Sequence, residues 1–171
     1  DNETKLKFVE KLGEAYNNIG FVAIKNHGLS DNLTTRLYDS VKGFFKQPDD
    51  LKHKYEIPGI FGQRGYVSKG KEKAKGRNTG DLKEFYHVGQ PDDPKGIYPD
   101  NVWPNEIEGF KDFTLEAYQT LEKAGIDMLK AIALYLGLEE DYFNNKVKSG
   151  NSILRAIHYF PIENPEEIPD D

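Results

Sequence analysis

The sequence predicts an α+β fold that is rich in helices and has only a few short strands. Three segments, 3–19, 30–44 and 105–136, repeat apolar residues at spacings of three and four, which is typical of amphipathic helices. Two shorter runs, 84–88 and 152–160, concentrate the aromatic and β-branched residues that favour strands. Because isolated strands are unstable, we expect these runs to pair with one another or with strands supplied by further sequence.

The shorter segments complete this prediction. An apolar run at 21–24 follows the first helix and has the pattern of a strand that is buried on both faces. Gly137 is placed to end the long helix. Between 56 and 80, six glycines interrupt every regular pattern, so a long loop with one extended piece near Tyr66 is predicted there.

The composition is that of an ordered globular protein. Of the 171 residues, 37% are hydrophobic and 12% are aromatic, which is too apolar for a disordered chain. The formal net charge of −6 argues against nucleic acid as a partner, and no apolar run reaches the length that spans a membrane. The chain contains no cysteine, which excludes thiolate chemistry within it and fits a cytoplasmic location.

Both ends of the chain suggest that it is the amino-terminal part of a larger enzyme. The first residue is Asp1 rather than Met, and an acidic, proline-containing segment at 164–171 follows the last predicted strand. A domain rarely ends one loop after an apolar strand. We therefore expect more of the protein to follow.

No motif for metal binding, phosphate binding or nucleophilic catalysis occurs in the sequence. Metal sites usually contain two ligands that are close in sequence. The histidines are widely spaced and none precedes an acidic residue by two positions, so none is predicted to bind a metal; they are His27, His53, His87 and His158. A basic run is interpreted either as a solvated loop or as a mobile cover that attracts an anionic substrate; it consists of Lys69, Lys71, Lys73, Lys75 and Arg77.

Four segments, in this order, carry a resemblance to a known family. They are GFVAIKNHG at 20–28, RGY at 64–66, DLKEFYHVG at 81–89 and LRAIHYFP at 154–161. With Phe44 and Phe45 before Pro48, they resemble the isopenicillin N synthase-like iron oxygenases, which belong to the Fe(II)- and 2-oxoglutarate-dependent dioxygenases. Each motif is weak alone, but their order and spacing over almost the whole chain support the assignment.

The resemblance implies a fold and a set of cofactors. Members of the family have a helical amino-terminal region that supports a double-stranded β-helix, or jelly roll. A His-x-Asp pair and a distal His hold Fe(II), and an Arg-x-Ser typically binds 2-oxoglutarate. On this basis residues 1–150 correspond to the helix-rich region, and residues 151–171 to the first strand and loop of an incomplete jelly roll. The iron ligands are then expected beyond residue 171.

The same resemblance gives a candidate wall for a substrate or cosubstrate. Gln63, Arg64 and Tyr66 match a segment that contacts substrate in some members, although a surface salt bridge is an alternative role for Arg64. His158 stands where members often have Asn near the cosubstrate, and the alternative is a core histidine that bonds to backbone. Phe160 replaces a residue that is commonly Tyr, so a phenolic hydrogen bond is lost there.

These observations predict the amino-terminal part of an oxygenase that oxidises a small molecule by hydroxylation, desaturation or ring formation. The isolated chain is expected to be inactive. The alternative is a non-catalytic binding or scaffold module that hides its strand faces by dimerising or by binding a partner chain. An oligomer is compatible with either function.

Overall fold

The computed structural model describes residues 1–73, 75–76, 80–91 and 93–162. In chain order the elements are α1 (Asn2–Asn18), α2 (Asp31–Phe45), α3 (Asp49–Lys52), a 3-10 turn (His53–Tyr55), β1 (Gly65–Val67), β2 (Lys83–Gly89), α4 (Phe110–Tyr135), α5 (Asn144–Val147) and β3 (Ile153–Tyr159). Two compact units contain them. Residues 1–31 and 119–150 form the first unit, and the described residues of 32–118 and 151–162 form the second.

The first unit has a small apolar core. Val9 and Leu12 of α1 are buried together with Ala131 of α4, and partly buried residues surround them; these are Val22, Ile24, Met128, Ile132 and Leu134. Helix α1 begins at Asp1, whose carboxylate accepts a hydrogen bond from the amide of Thr4 at 2.7 Å. None of the described helices is long and apolar enough to cross a membrane.

Gly137 ends helix α4 as the sequence predicts. Its φ is +70°, a backbone conformation that side chains with a Cβ disfavour. The amide of Leu138 donates to the carbonyl of Ala133 at 2.9 Å, and the amide of Gly137 donates to that of Leu134 at 3.1 Å. These two bonds form a Schellman motif, which satisfies carbonyl groups at the end of the helix.

The strand predicted at 21–24 is not formed. The segment has no regular structure, and Phe21 is 82% exposed. Val22 and Ile24 nevertheless pack against the core of the first unit. The alternating burial therefore reflects packing of an extended segment on helices, and no described strand pairs with it.

The second unit contains a three-stranded antiparallel sheet in the order β1-β2-β3. Tyr66 pairs with Tyr86, and Tyr86 pairs in turn with Ala156. Every residue of β2 after Lys83 is buried, whereas β3 alternates between exposed and half-buried residues. The strands predicted around Tyr66, at 84–88 and at 152–160 are thus confirmed and pair with one another.

An aromatic cluster forms the core of this unit. Phe44 of α2 is fully buried and makes edge-to-face or tilted contacts with five rings at centroid distances of 4.9 to 5.9 Å; these belong to Phe45, Tyr55, Tyr66, Tyr86 and Phe110. Such pairs contribute about 0.5–1.5 kcal/mol each beyond the area they bury. The cluster therefore fixes one face of the sheet against the helices.

Helix α4 begins later than the sequence predicts. Residues 105–109 form turns, with the amide of Ile107 donating to the carbonyl of Pro104 at 3.1 Å. Gly109 has a φ of +70°, and its carbonyl accepts the hydrogen bond of Phe113 at 2.9 Å. The left-handed glycine separates the turns from the helix, although the apolar spacing continues through both.

Candidate functional site

The five candidate wall residues fall into two groups within the second unit. Tyr66, His158 and Phe160 lie around the buried carboxylate of Glu84, whereas Gln63 and Arg64 lie together in a separate group. We call the first group the Glu84 network; it consists of Lys52, Tyr66, Glu84 and His158. We call the second the Arg64 cluster; it consists of Gln63, Arg64, Gln90 and Asn151.

Three hydrogen bonds converge on Glu84, which is only 1% exposed. Its Oε2 accepts from Lys52 Nζ at 2.7 Å and from the Tyr66 hydroxyl, and its Oε1 contacts His158 Nδ1 at 2.8 Å. Lys52 is 4% exposed and also contacts the exposed Asp49 at 3.0 Å. Each donor comes from a different element, so Glu84 links α3, β1 and β3 to β2.

The network holds a charge pair inside the protein. Burial by itself raises the pKa of Glu84, but the hydrogen bonds from Lys52, Tyr66 and His158 outweigh it and lower the pKa. Burial likewise opposes the charge of Lys52, and its bonds to Glu84 and Asp49 raise the pKa. The pKa of Tyr66 is raised, first by burial and then by Glu84. Lys52 and Glu84 are therefore charged near neutral pH, and the hydroxyl of Tyr66 keeps its proton.

Aromatic rings hold the imidazole of His158. Phe45 stacks on it with ring centroids 5.4 Å apart and an interplanar angle of 27°, and Phe160 lies at 4.9 Å in a tilted arrangement. The ammonium of Lys69 lies over the ring of Phe160, 5.0 Å from its centroid. His158 bonds to a carboxylate and is half-buried, which differs from the core histidine bonded to backbone that the sequence also allowed.

In the Arg64 cluster, a buried guanidinium donates to three neutral oxygens. Arg64 is 1% exposed and donates to the Gln63 carbonyl at 2.8 Å, to Gln90 Oε1 at 2.9 Å and to Asn151 Oδ1 at 3.0 Å. Burial is the largest influence on its pKa, which is lowered. Its guanidinium packs on Gly89, where a Cβ would lie 1.9 Å from Cζ. Arg64 is thus not in the surface salt bridge that the sequence allowed.

His87 is buried, and sequence reasoning did not place it in any site. His87 Nδ1 contacts the carbonyl of Gly62, and its Nε2 accepts from Arg155 Nε at 2.6 Å. Burial lowers the pKa of His87 and the positive charge of Arg155 adds to this effect. The ring is therefore neutral, with its proton on Nδ1, and serves to join β2 to β3.

Sequence reasoning also missed Glu84 and Lys52, which hold the candidate wall together. Side chains along a strand point alternately to its two faces, so Glu84 shares a face with Tyr86 and Val88. Because those two residues are apolar and buried, this position indicates that Glu84 is buried as well. Lys52 has no such signal. In the basic run, Lys71 pairs with Glu56, and Arg77 lies outside the described residues.

The described residues do not supply a site for iron. Nowhere in the ranges that the structure describes do three His, Cys, Asp or Glu side chains gather so that they could hold a metal ion. Iron in this family requires two histidines and a carboxylate on one face. The Glu84 network contains one histidine, and Lys52 and Tyr66 already occupy its carboxylate. We therefore assign no step to a metal within this chain.

Comparisons with known proteins identify the family. The family model described as non-haem dioxygenase in morphine synthesis N-terminal matches residues 1–106. A proline hydroxylase from Petromyces alliaceus is 34% identical over 161 residues, covering 89% of this chain and 49% of that protein. A homoarginine-6-hydroxylase from Oryza sativa is 32% identical and covers 100% of this chain and 53% of that protein. The chain thus spans about half the length of these relatives.

Solved structures agree with this family assignment. A protein of the 2OG-Fe(II) oxygenase family from Caulobacter crescentus has 38% identity and a TM-score of 0.84, covering 95% of this chain and 54% of that one. A Neurospora crassa protein in complex with alpha-KG and thymine has 26% identity and a TM-score of 0.79, and the match covers 93% of this chain and 51% of the Neurospora chain. The predicted class, α+β with strands of an incomplete jelly roll, is confirmed. The chain therefore belongs to the non-haem Fe(II)- and 2-oxoglutarate-dependent dioxygenases and matches the amino-terminal part of its members.

Proposed function

We propose that this chain is the amino-terminal part of an enzyme that uses Fe(II) and 2-oxoglutarate to oxidise a small molecule by hydroxylation, desaturation or ring formation. One observation carries the proposal. The chain aligns over 95% of its length with about half of an oxygenase, yet its described residues bring no three potential metal ligands together. The iron ligands then belong to sequence that follows this chain in the complete protein.

Within that enzyme, the residues of this chain supply support and part of a cavity wall. His158 and Phe160 stand at positions that the family places near the cosubstrate, and both are partly accessible. Tyr66 is 3% exposed and bonds to Glu84, so its role is to support the wall from behind. Gln63 and the buried Arg64 join the start of β1 to Gln90 after β2 and to Asn151 before β3, and so act as a clamp.

The decisive experiment compares the complete protein with residues 1–171 alone. With Fe(II), oxygen and 2-oxoglutarate, the complete protein is expected to consume 2-oxoglutarate, and the isolated chain is not. Sequencing past residue 171 should find a His-x-Asp, a distal His and an Arg-x-Ser. Consumption by residues 1–171 alone would contradict the location of the iron ligands. A complete protein without these ligands would contradict the enzymatic function.

A second function, a non-catalytic binding or scaffold module, is favoured by the outer face of β3. Ile153, Ile157 and Tyr159 are exposed there, and Tyr159 is 66% exposed. Such a face invites association with a second copy or a partner chain. The iron content of the complete protein, measured together with its sedimentation, distinguishes the two functions. The module is expected to self-associate through this face and to lack iron, whereas the enzyme binds iron whatever its oligomeric state.

A further inference from the structure

We propose that Glu84 is a positioning residue that fixes the orientation and the tautomer of His158 and so presents His158 Nε2 to the cavity. The inference rests on the proposed function for the role of the cavity, but the orientation itself can be measured without any ligand. Glu84 contacts no ligand in this proposal and acts only through the imidazole.

The hydrogen bond between the two residues determines which nitrogen carries the proton. An ionised carboxylate is an acceptor only, and Glu84 Oε1 lies 2.8 Å from His158 Nδ1. The proton of a neutral ring therefore lies on Nδ1, and Nε2 is left as an acceptor. A ligand at Nε2 then has to offer a donor, such as a hydroxyl or amide group, or an ordered water molecule.

Lys52 and Tyr66 make Glu84 suitable for this task. Both bond to Oε2, the oxygen that faces away from His158, so they hold the carboxylate in one rotamer and leave Oε1 for the imidazole. Lys52 also balances the charge of Glu84 inside the protein. The charge of Glu84 is therefore balanced independently of His158.

The ring plane is fixed independently of the hydrogen bond. Phe45 stacks on one side of His158 at 5.4 Å, and Phe160 approaches it at 4.9 Å. A hydrogen bond at Nδ1 together with a ring stacked on the imidazole leaves little freedom about either side-chain torsion. Fixed groups of this kind bind ligands without a further loss of side-chain entropy.

The test begins with the ring nitrogens of His158 in the complete protein, observed by NMR after labelling histidine with ¹⁵N. The signals of His158 are assigned by their loss in His158→Asn. At alkaline pH, where both shifts have stopped changing, Nδ1 is expected to have the shift of a protonated nitrogen and Nε2 that of an unprotonated one. The opposite pattern, or a mixture of tautomers in rapid exchange, overturns the proposal.

A variant with an apolar network tests the dependence on Glu84. The change Lys52→Met/Tyr66→Phe/Glu84→Leu removes the carboxylate together with Lys52 and the Tyr66 hydroxyl, so no charge of this pair is left buried and unpaired and only the half-buried imidazole loses its partner. It is expected to lose the Nδ1-protonated tautomer of His158. Tyr66→Phe alone is the matched control, because it removes one ring hydroxyl and keeps Glu84; it should retain that tautomer. If the apolar variant does not fold, the ¹⁵N shifts of His158 in the wild type still decide whether Nδ1 carries the proton.

The final measurement addresses the cavity. Because 2-oxoglutarate has only acceptor oxygens, its contact with Nε2 is expected to run through an ordered water molecule that donates to both. With Zn(II) in place of iron, addition of 2-oxoglutarate is then expected to move the Nε2 signal of His158, and the apolar variant should raise the KM for 2-oxoglutarate about tenfold with kcat within about threefold. An unchanged Nε2 signal and an unchanged KM in a protein that consumes 2-oxoglutarate overturn the positioning role while the proposed function stands. A complete protein that consumes none contradicts the proposed function, and the tautomer still reports on Glu84 and His158.

Discussion

At the scale of single residues, Lys52 and Glu84 form an ion pair that is withdrawn from water on both sides. Removing one partner of such a pair leaves an uncompensated buried charge, which typically costs about 3–5 kcal/mol. Lys52→Met is therefore expected to lower the free energy of unfolding of the complete protein by about that amount, as measured by urea denaturation. Lys52→Met/Glu84→Gln removes both charges and should recover most of the loss. Equal losses in both variants would contradict the ion pair.

The same pair makes stability depend on pH in a defined direction. The folded pKa of Glu84 lies below its ordinary value of 4.5, so its contribution is complete above pH 4.5 and is lost as the pH falls through the folded value. The pKa of Lys52 lies above 10.5, so its contribution is present below that pH and is lost only as the pH rises through the raised value. We expect the urea midpoint to fall below pH 4.5 more steeply in the wild type than in Lys52→Met/Glu84→Gln. Parallel curves would show that other carboxylates account for the acid sensitivity.

Arg64 uses the planar fork of its guanidinium to reach three oxygens at once. A lysine ammonium cannot reproduce this geometry, and unmade buried hydrogen bonds cost about 1–3 kcal/mol. Arg64→Lys is expected to lower the free energy of unfolding by that amount. Arg36→Lys is the matched control, since Arg36 is exposed and its guanidinium lies over the ring of Phe113 at 5.6 Å. Its effect should stay within about 0.5 kcal/mol.

The sequence identifies some of these residues and not their partners. Arg64, Tyr66 and His158 can be selected by family resemblance, and the burial of Glu84 could have been predicted from its position on the same strand face as Tyr86 and Val88. Lys52 could not, because it lies on a one-turn helix with no apolar period. Nor does the sequence show that Arg64 and His158 belong to separate groups. That separation depends on how β2 pairs with its two neighbours.

At the scale of elements, Gly13 allows α1 and α4 to approach closely within the first unit. A Cβ at this position would lie 2.1 Å from the ring of Tyr135. Alanine normally stabilises a helix relative to glycine by about 0.5–1 kcal/mol, but a clash of this size costs about 1–3 kcal/mol. Gly13→Ala is therefore expected to lower the melting temperature.

Two controls separate the clash from the helix propensity. Gly125→Ala changes the same residue type within α4, where nothing lies within 4 Å of the added Cβ, and should raise the melting temperature. Gly13→Ala/Tyr135→Ala removes the obstructing ring and should recover part of the loss. A melting temperature that rises in Gly13→Ala would mean that the two helices can separate without cost.

The elements themselves differ in how well the sequence predicts them. Helices α1, α2 and most of α4 follow from their periodicity, because a helix satisfies its own backbone hydrogen bonds and needs only one apolar stripe. The segment 21–24 has the composition of a strand but no strand beside it in the described part of the chain, so it remains irregular. Local pattern cannot reveal the presence of a partner, and β1, only three residues long, is a strand because β2 lies next to it.

At the scale of the whole molecule, the outer face of β3 distinguishes a part of an enzyme from a self-contained module. Ile157 is 41% exposed in this chain, and burial of such a side chain contributes about 1.5–3 kcal/mol. If the remainder of an oxygenase covers this face, Ile157→Lys should destabilise the complete protein by at least that amount, whereas residues 1–171 alone should change by less than about 0.5 kcal/mol. Urea denaturation of both proteins measures the difference. A module that dimerises through β3 predicts instead that the substitution makes the complete protein monomeric while its iron content stays at zero.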